Sequence, residues 1–328
     1  MSEPIRHYFL PKHAFLRFFE SYENESFIWM NQRGKEPILV NTDKIAKEKH
    51  LYSFVDESGK YNPELEKIFA EMESVASTVL EKLNSAIGPI SISMQEKFDL
   101  AYFISMQFAR TPAFRDSLKK QAAEFARLNM QVLASNKEAL ANAIKETRKE
   151  NPAMPDKSVE EMQEFILGGE YEIEMTGKNY FLKQAVQLGD ALYPTIMMKD
   201  IIILKSDSTE LITSDYPVNL VPDPSIPPIY GGGFLMSGVL FPIGTNTALF
   251  LKNPRNPKER MENKDPMQRI EYKNIPAAHG RWINKVTLNY AERFLFATSL
   301  DLKIKELFDQ TKEPKRFSVS SPFSNKKN

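Results

Sequence analysis

The hydrophobic pattern of this chain changes period at Asn62 and again near Asp200, and those switches limit the folds open to it. From Asn62 onward, Leu65, Ile68, Phe69, Met72, Val75, Val79 and Leu83 recur at helical spacing, a stripe that a helix must bury against a neighbour. Beyond Asp200 the apolar residues instead fall in short runs, 201–204, 210–213, 238–243 and 247–251, suited to a pleated surface. Helices and strands segregated along one chain predict an α+β fold, because a parallel α/β sheet requires them to alternate.

Local signals set the boundaries. Tyr8 to Leu10 reads as extended, and Pro11 opens a short helix presenting Phe15, Leu16, Phe18 and Phe19. Phe27 to Met30 and Pro37 to Val40 flank Gln32-Arg33-Gly34-Lys35, a hairpin turn in which glycine supplies the positive φ. Tyr52 to Val55 suits a short strand ending at the turn Asp56-Glu-Ser-Gly59. Asn62 and Pro63 cap the first long helix, and Ser93 with Glu96 forms a capping box for a second that carries Phe98, Tyr102, Met106 and Ala109 and meets Pro112. Residues 113–150, free of glycine and proline, predict one long solvated helix; Ser158 with Glu161 starts another, and a further helix covers about 179–198 with a bend at Pro194. The stretch from Pro222 to Gly233 is too rich in proline and glycine for an element and reads as a flap, and a last helix is expected over about 277–298.

The expected fold is therefore helix-rich α+β: an N-terminal β-hairpin, a central helical bundle, and a C-terminal, mostly antiparallel sheet closed by a long helix. Residues 1–312 read as one integrated domain, with a helical middle over about 62–199, a β-rich part over about 200–255, and a flexible polar tail over 313–328.

Composition narrows the function classes. Hydrophobic residues are 42% of the 328 and charged residues 26%, ordinary for a folded chain and far from the signature of disorder. Lys plus Arg equals Asp plus Glu at 43 each, so no global field steers the protein to nucleic acid or an anionic membrane, and nucleic-acid binding would need a local patch. The absence of cysteine excludes disulfides, a thiolate nucleophile and cysteine-ligated metal centres, and makes the cytoplasm the expected compartment. The opening Met1-Ser-Glu-Pro-Ile-Arg lacks the basic start and apolar run of an export signal, and no apolar run nears the ~20 residues that span a bilayer, so no membrane role is expected. The sequence specifies no cofactor, and a partner protein or a second copy of the chain stays open.

Four patches, taken in order, resemble the bacterial DUF4238 family, a domain of unknown function. They are His7-Tyr8-Phe9-Leu10-Pro11 with Phe15-Leu16-Arg17-Phe18-Phe19; Phe108-Ala109-Arg110-Thr111-Pro112; Ile212-Thr213-Ser214-Asp215-Tyr216-Pro217-Val218; and Ile283-Asn284 leading to Ala291-Glu292-Arg293-Phe294. Tyr216 departs from the family's Asn at that position. The patches span almost the whole chain, which implies a full-length member, and the resemblance implies no catalytic assignment.

The polar residues in these patches are the candidates for chemistry. His7 could titrate near neutral pH as a general base, or pin the terminus through a hydrogen bond. Asp215, past a strand end, suits an acid, base or metal ligand; the turn that Ser214 and Asp215 form ahead of Pro217 accounts for it equally well. Arg17 and Arg110 are natural clamps for phosphate or carboxylate, against the alternative of ion pairs that fix helix against sheet. Asn284 offers an amide donor, or an interhelical bond. No metal site is expected: no histidine pair has ligand spacing, and Glu66 with Glu73 on one helix face reads as a solvated face. Asp265 with Glu271-Tyr272-Lys273 imitates a nuclease core, a short motif that chance often supplies. Gly231-Gly232-Gly233 lacks the residues of a phosphate loop and reads as a hinge.

Two function classes follow. In the first, the protein is an enzyme on a phosphate-containing substrate, nuclease-like on RNA or DNA, with His7 and Asp215 as acid and base and Arg17, Arg110, Ser214 and Asn284 holding substrate. In the second it is a non-catalytic sensing or scaffold protein, in a bacterial stress or phage-defence setting, that binds a partner through the 113–150 helix.

Overall fold

A computed structural model of the chain describes residues 6–8, 10–22, 25–49, 54–55, 61–62, 64–223, 233–254 and 266–311. The turn expected at 56–59, Pro63, most of the flap, Asp265 and the tail over 313–328 lie outside them. The chain is α+β, and it divides into two compact units, one formed by Met1–Arg115 with Lys178–Pro314 and the other centred on Asp116–Gly177.

In chain order the elements are β1 (Arg6–Tyr8), a 3₁₀ turn (Leu16–Phe19), β2 (Phe27–Gln32), β3 (Ile38–Asn41), β4 (Lys47–Lys49), β5 (Phe54–Val55), β6 (Tyr61–Asn62), α1 (Glu64–Asn84), β7 (Ile90–Ser93) and α2 (Met94–Ala109). There follow α3 (Pro112–Ala134), α4 (Lys137–Glu150), α5 (Val159–Gly168) and α6 (Lys178–Met198). The remainder is β8 (Asp200–Ser206), β9 (Thr213–Ser214), β10 (Asn219–Pro222), β11 (Ser237–Gly244), β12 (Thr247–Lys252), β13 (Met267–Ile275), α7 (Ala277–Tyr290), β14 (Phe294–Ala297) and α8 (Leu302–Gln310).

In the first unit a six-stranded sheet runs in the order β10-β11-β12-β8-β13-β7, antiparallel except where β13 lies parallel to β8. Every residue of β11 is buried, so both faces of the sheet are covered at its middle. The helix α2 packs on α1 and α6 and is buried from Phe103 to Ala109. It starts at the expected capping box, where Ser93 Oγ accepts from the Glu96 N–H and the Glu96 carboxylate accepts from the Ser93 N–H. Gly189 of α6 allows the close approach, since a Cβ there would lie 2.4 Å from Met106 Sδ. As expected, α2 stops just short of Pro112, at Ala109, and the proline takes the first position of α3, with Thr111 Oγ1 accepting the Phe114 N–H.

The N-terminal hairpin forms as expected, with Gly34 at φ +65° in its turn, but it does not stand alone. It joins a second sheet in the order β3-β2-β14-β9, antiparallel throughout. Two expectations change with it. Of the run 210–213 only Thr213 enters a strand, as the start of β9 in this second sheet. The last helix, expected to 298, ends at Tyr290, and Phe294–Ala297 becomes a strand.

The cause of that early stop is electrostatic. Both oxygens of buried Asp215 accept backbone N–H bonds, from Glu292 at 3.0 Å and Arg293 at 2.8 Å. From the other side the Arg33 guanidinium donates to the carbonyls of Ala291 at 3.0 Å and Glu292 at 3.2 Å, and to those of Phe308 and Thr311 at 2.6 Å each. An anion on the free N–H groups and a cation on the free carbonyls fix a turn where propensity alone would continue the helix. The cation also closes the last turn of α8 and lies over the Phe308 ring at 4.1 Å.

In the second unit the single helix expected over 113–150 is two. It breaks at Ser135–Asn136, because the Asn136 side chain accepts the Ala139 N–H and starts α4 afresh. The helices bury Ala134, Leu140, Ile144 and Ile166 together, so α4 is not a bare solvated rod. The expected capping box of Ser158 and Glu161 opens α5.

Replacing Asp215 or Arg33 by alanine should each cost about 2–4 kcal/mol in urea denaturation, as buried bonds to the turn are orphaned. The double variant should lose less than the sum, because both side chains hold the one turn and meet at Glu292.

Candidate functional site

The polar residues singled out in the sequence fall in two places. Ser214, Asp215 and Asn284 meet around the segment 210–216. The Ser214 hydroxyl accepts from the Tyr216 N–H at 3.1 Å and donates to the Tyr216 carbonyl at 2.9 Å, the turn geometry expected ahead of Pro217. Asn284 of α7 donates to the Glu210 carbonyl at 2.8 Å and accepts from the Ile212 N–H at 3.1 Å, so its amide pins an irregular strand that has no ladder partner there. Asp215 is given over to the turn after α7.

Arg17 and Arg110 instead reach α1, about two turns apart. Arg17 donates to Glu81 at 2.9 Å and Ser77 at 3.2 Å and stacks over Phe18. Arg110, at the C-terminal end of α2, has a buried side chain that pairs with Glu73 at 2.6 Å, donates to Gln107 at 2.8 Å and covers the Phe69 ring. His7 lies in β1 opposite Glu48 of β4; its side chain is outside the description. Of the nuclease-like motif, Glu271 pairs with Lys252 at 3.1 Å and Lys273 at 3.4 Å on the sheet surface.

Glu66 and Lys199 carry large shifts that the sequence did not signal. Glu66, one of the pair on the α1 face, is half-buried, and that burial, with the Glu73 charge beside it, pushes its carboxyl up to about 7. The face is thus more than solvation. At the end of the six-stranded sheet, burial pulls the Lys199 ammonium down to about 8 against the opposing pull of Asp223. Lys199 donates to the Ser237 carbonyl at 2.8 Å and to Asn253 Oδ1 at 2.7 Å, Asn253 donates to Asp223 at 2.9 Å, and Lys97 of α2 donates to the Lys199 carbonyl at 3.0 Å. These bonds tie α2 to the ends of β10, β11 and β12, and the well-satisfied geometry is that of a brace. The only cue in the sequence is the polar Lys199-Asp200 between a helix and a strand of isoleucines.

Among the described residues, a cleft of about 700 Å³ with room for a ligand lies between α7, α8 and the segment 208–212. Leu211, Ile212, Leu288 and Ala297 form its buried floor, and Ile304 and Leu307 line it from α8. Asn284 is the one sequence candidate on its wall. The remaining lining was legible as spacing: Arg281, Lys285, Leu288 and Asn289 share one face of α7, as Lys303, Ile304 and Leu307 share one of α8. Among the described residues no cluster of three His, Asp or Glu side chains could hold a metal ion, and no helix is long and apolar enough to cross a membrane.

Residues 6–301 match the model of a family described as a protein of unknown function, DUF4238. No curated protein and no solved structure gives a match.

The Glu66 shift predicts a pH dependence. Because its folded value lies above the ordinary 4.5, the folded chain holds a proton that the unfolded chain has released, and stability declines as pH rises from about 4.5 to about 7. Glu66→Gln should remove that decline, gaining on the order of 1 kcal/mol over the parent at pH 8 and nothing at pH 4, in urea titrations at the two pH values.

Proposed function

This chain belongs to the DUF4238 family, and we propose that it is a binding protein, a sensor without catalysis of its own, that takes a small molecule in the cleft between α7 and α8. The observation that carries this reading is the cleft itself. Its volume lies within the range of roughly 300–1,000 Å³ typical of small-molecule sites, and it has an apolar floor with few polar groups, the usual make-up of such sites. Its walls are also held in place: Asn284 fixes one side, and the Arg33 clamp fixes the C-terminal ends of both helices. A pre-formed site spends little binding energy on ordering itself.

The catalytic alternative, acid–base chemistry on a phosphate-containing substrate, draws less support from the same residues. Arg17 and Arg110 neutralise α1 carboxylates, and Asp215 spends both oxygens on backbone N–H groups. A group so committed would have to break good bonds before serving a substrate.

Differential scanning fluorimetry with a ten-carbon alcohol checks the binding reading. The alcohol should raise the melting temperature of the parent, and Asn289→Trp, which fills the cleft from its exposed edge, should abolish the rise. Hydrolysis of a phosphate ester that His7→Ala removes without lowering the melting temperature would overturn the reading in favour of an enzyme.

A further inference from the structure

The rim of the cleft carries a charge asymmetry that its apolar floor does not require. Arg281 and Lys285 stand one turn apart on α7 beside Asn284, and Lys303 stands in the first turn of α8. All three are exposed, and among the described residues none makes an ion pair or a hydrogen bond through its side chain. All three line the same cleft. Glu210 ties Ser299, just ahead of α8, to the level of Asn284, since its carboxylate accepts from Ser299 and its carbonyl accepts from Asn284. Arg33 meanwhile holds the other ends of the two helices together.

The two carboxylates in the same lining are already engaged. Asp301 caps α8, accepting from the N–H groups of Lys303 at 2.9 Å and Ile304 at 3.2 Å, and Glu210 is taken by Ser299. Three uncommitted cations therefore share the lining of the cleft with two committed anions.

Resting on the binding reading above, we infer that the cleft selects a molecule with one anionic head, carboxylate or phosphate, on a hydrocarbon body. The head sits at Arg281, Lys285 and Lys303, where a guanidinium can offer two parallel hydrogen bonds to either oxyanion. The body lies over Leu211, Ile212 and Leu288 towards Leu307. The chain's own segment after Thr311 is a poor occupant, because Lys312, Lys315, Arg316, Lys326 and Lys327 repeat the sign of the rim.

Isothermal titration of the full chain with decanoate, decyl phosphate, decan-1-ol and decyltrimethylammonium tests the inference. Both anions should bind roughly tenfold or more tightly than the alcohol, the cation should be the weakest, and added salt should narrow the gap. The variant R281M with K303M should lose roughly fivefold to tenfold of the anion affinity and leave the alcohol unchanged. Comparing decanoate with decyl phosphate decides which head is preferred. Equal binding of alcohol and anions at low salt would sink the anion preference while leaving the cleft a binding site; failure of all four to bind would remove the binding reading itself. Displacement of decanoate by a peptide of residues 312–328 would assign the cleft to the chain's own terminus and overturn the inference.

Discussion

The structure of the first unit hinges on three residues, Ala291 to Arg293, whose backbone is held between a buried aspartate and an arginine. Without that pair, a helix with the apolar content of α7 has no reason to stop at Tyr290. With it, Phe294–Ala297 is free to pair as β14, which links the N-terminal hairpin to Thr213–Ser214. The same arginine closes α8, so one guanidinium fixes a turn, a strand and both walls of the cleft. The interaction is strong because it satisfies groups that burial would otherwise leave orphaned, and a helix end presents such groups in numbers.

A second buried charge does similar work at the far end of the six-stranded sheet. Lys199 reaches the first residue of β11 and, through Asn253, the end of β10, while its own carbonyl receives Lys97 from α2. Taking an ammonium out of water is costly, and the depressed pKa records that cost. What it offsets is the fraying of three strand ends, from which the chain leaves for the long connections after Asp223 and Asn253. Stabilising charge is thus concentrated where secondary structure stops, and the cleft lies against the better braced of these regions.

Much of this was readable beforehand, and the omissions share a cause. Capping boxes at Ser93 and Ser158, the stripe of α1, the Gly34 turn and the strands β8, β11 and β12 are all decided by neighbours in sequence, so local chemistry suffices. The break at Asn136 was hidden because asparagine in a glycine-free run looks tolerable until its side chain is seen to cap. The strand β14 was hidden because Asp215 and Arg33, which impose it, lie about 80 and 260 residues away. Strands β7 and β13 were missed for the same reason, being short or charged segments that become strands by pairing with each other and with β8. Ser214, Asp215 and Asn284 do converge; Ser214 performs the local turn chemistry weighed for it, while the carboxylate of Asp215 holds a turn far along the chain. The rim cations of the cleft were passed over because each looks like surface charge until α8 is brought opposite α7.

The pairing of β2 with β14 sets an order of events. Residues 27–32 emerge from the ribosome some 260 residues before their partner 294–297, so the hairpin must wait with one edge unsatisfied in the interval. During that interval its backbone is a template for any other strand. Closure of this sheet also seats Arg33 against the last two helices, so the cleft comes into being only once translation has passed α8. A ligand bound there would report that synthesis of the domain is complete, a property that follows from connectivity alone.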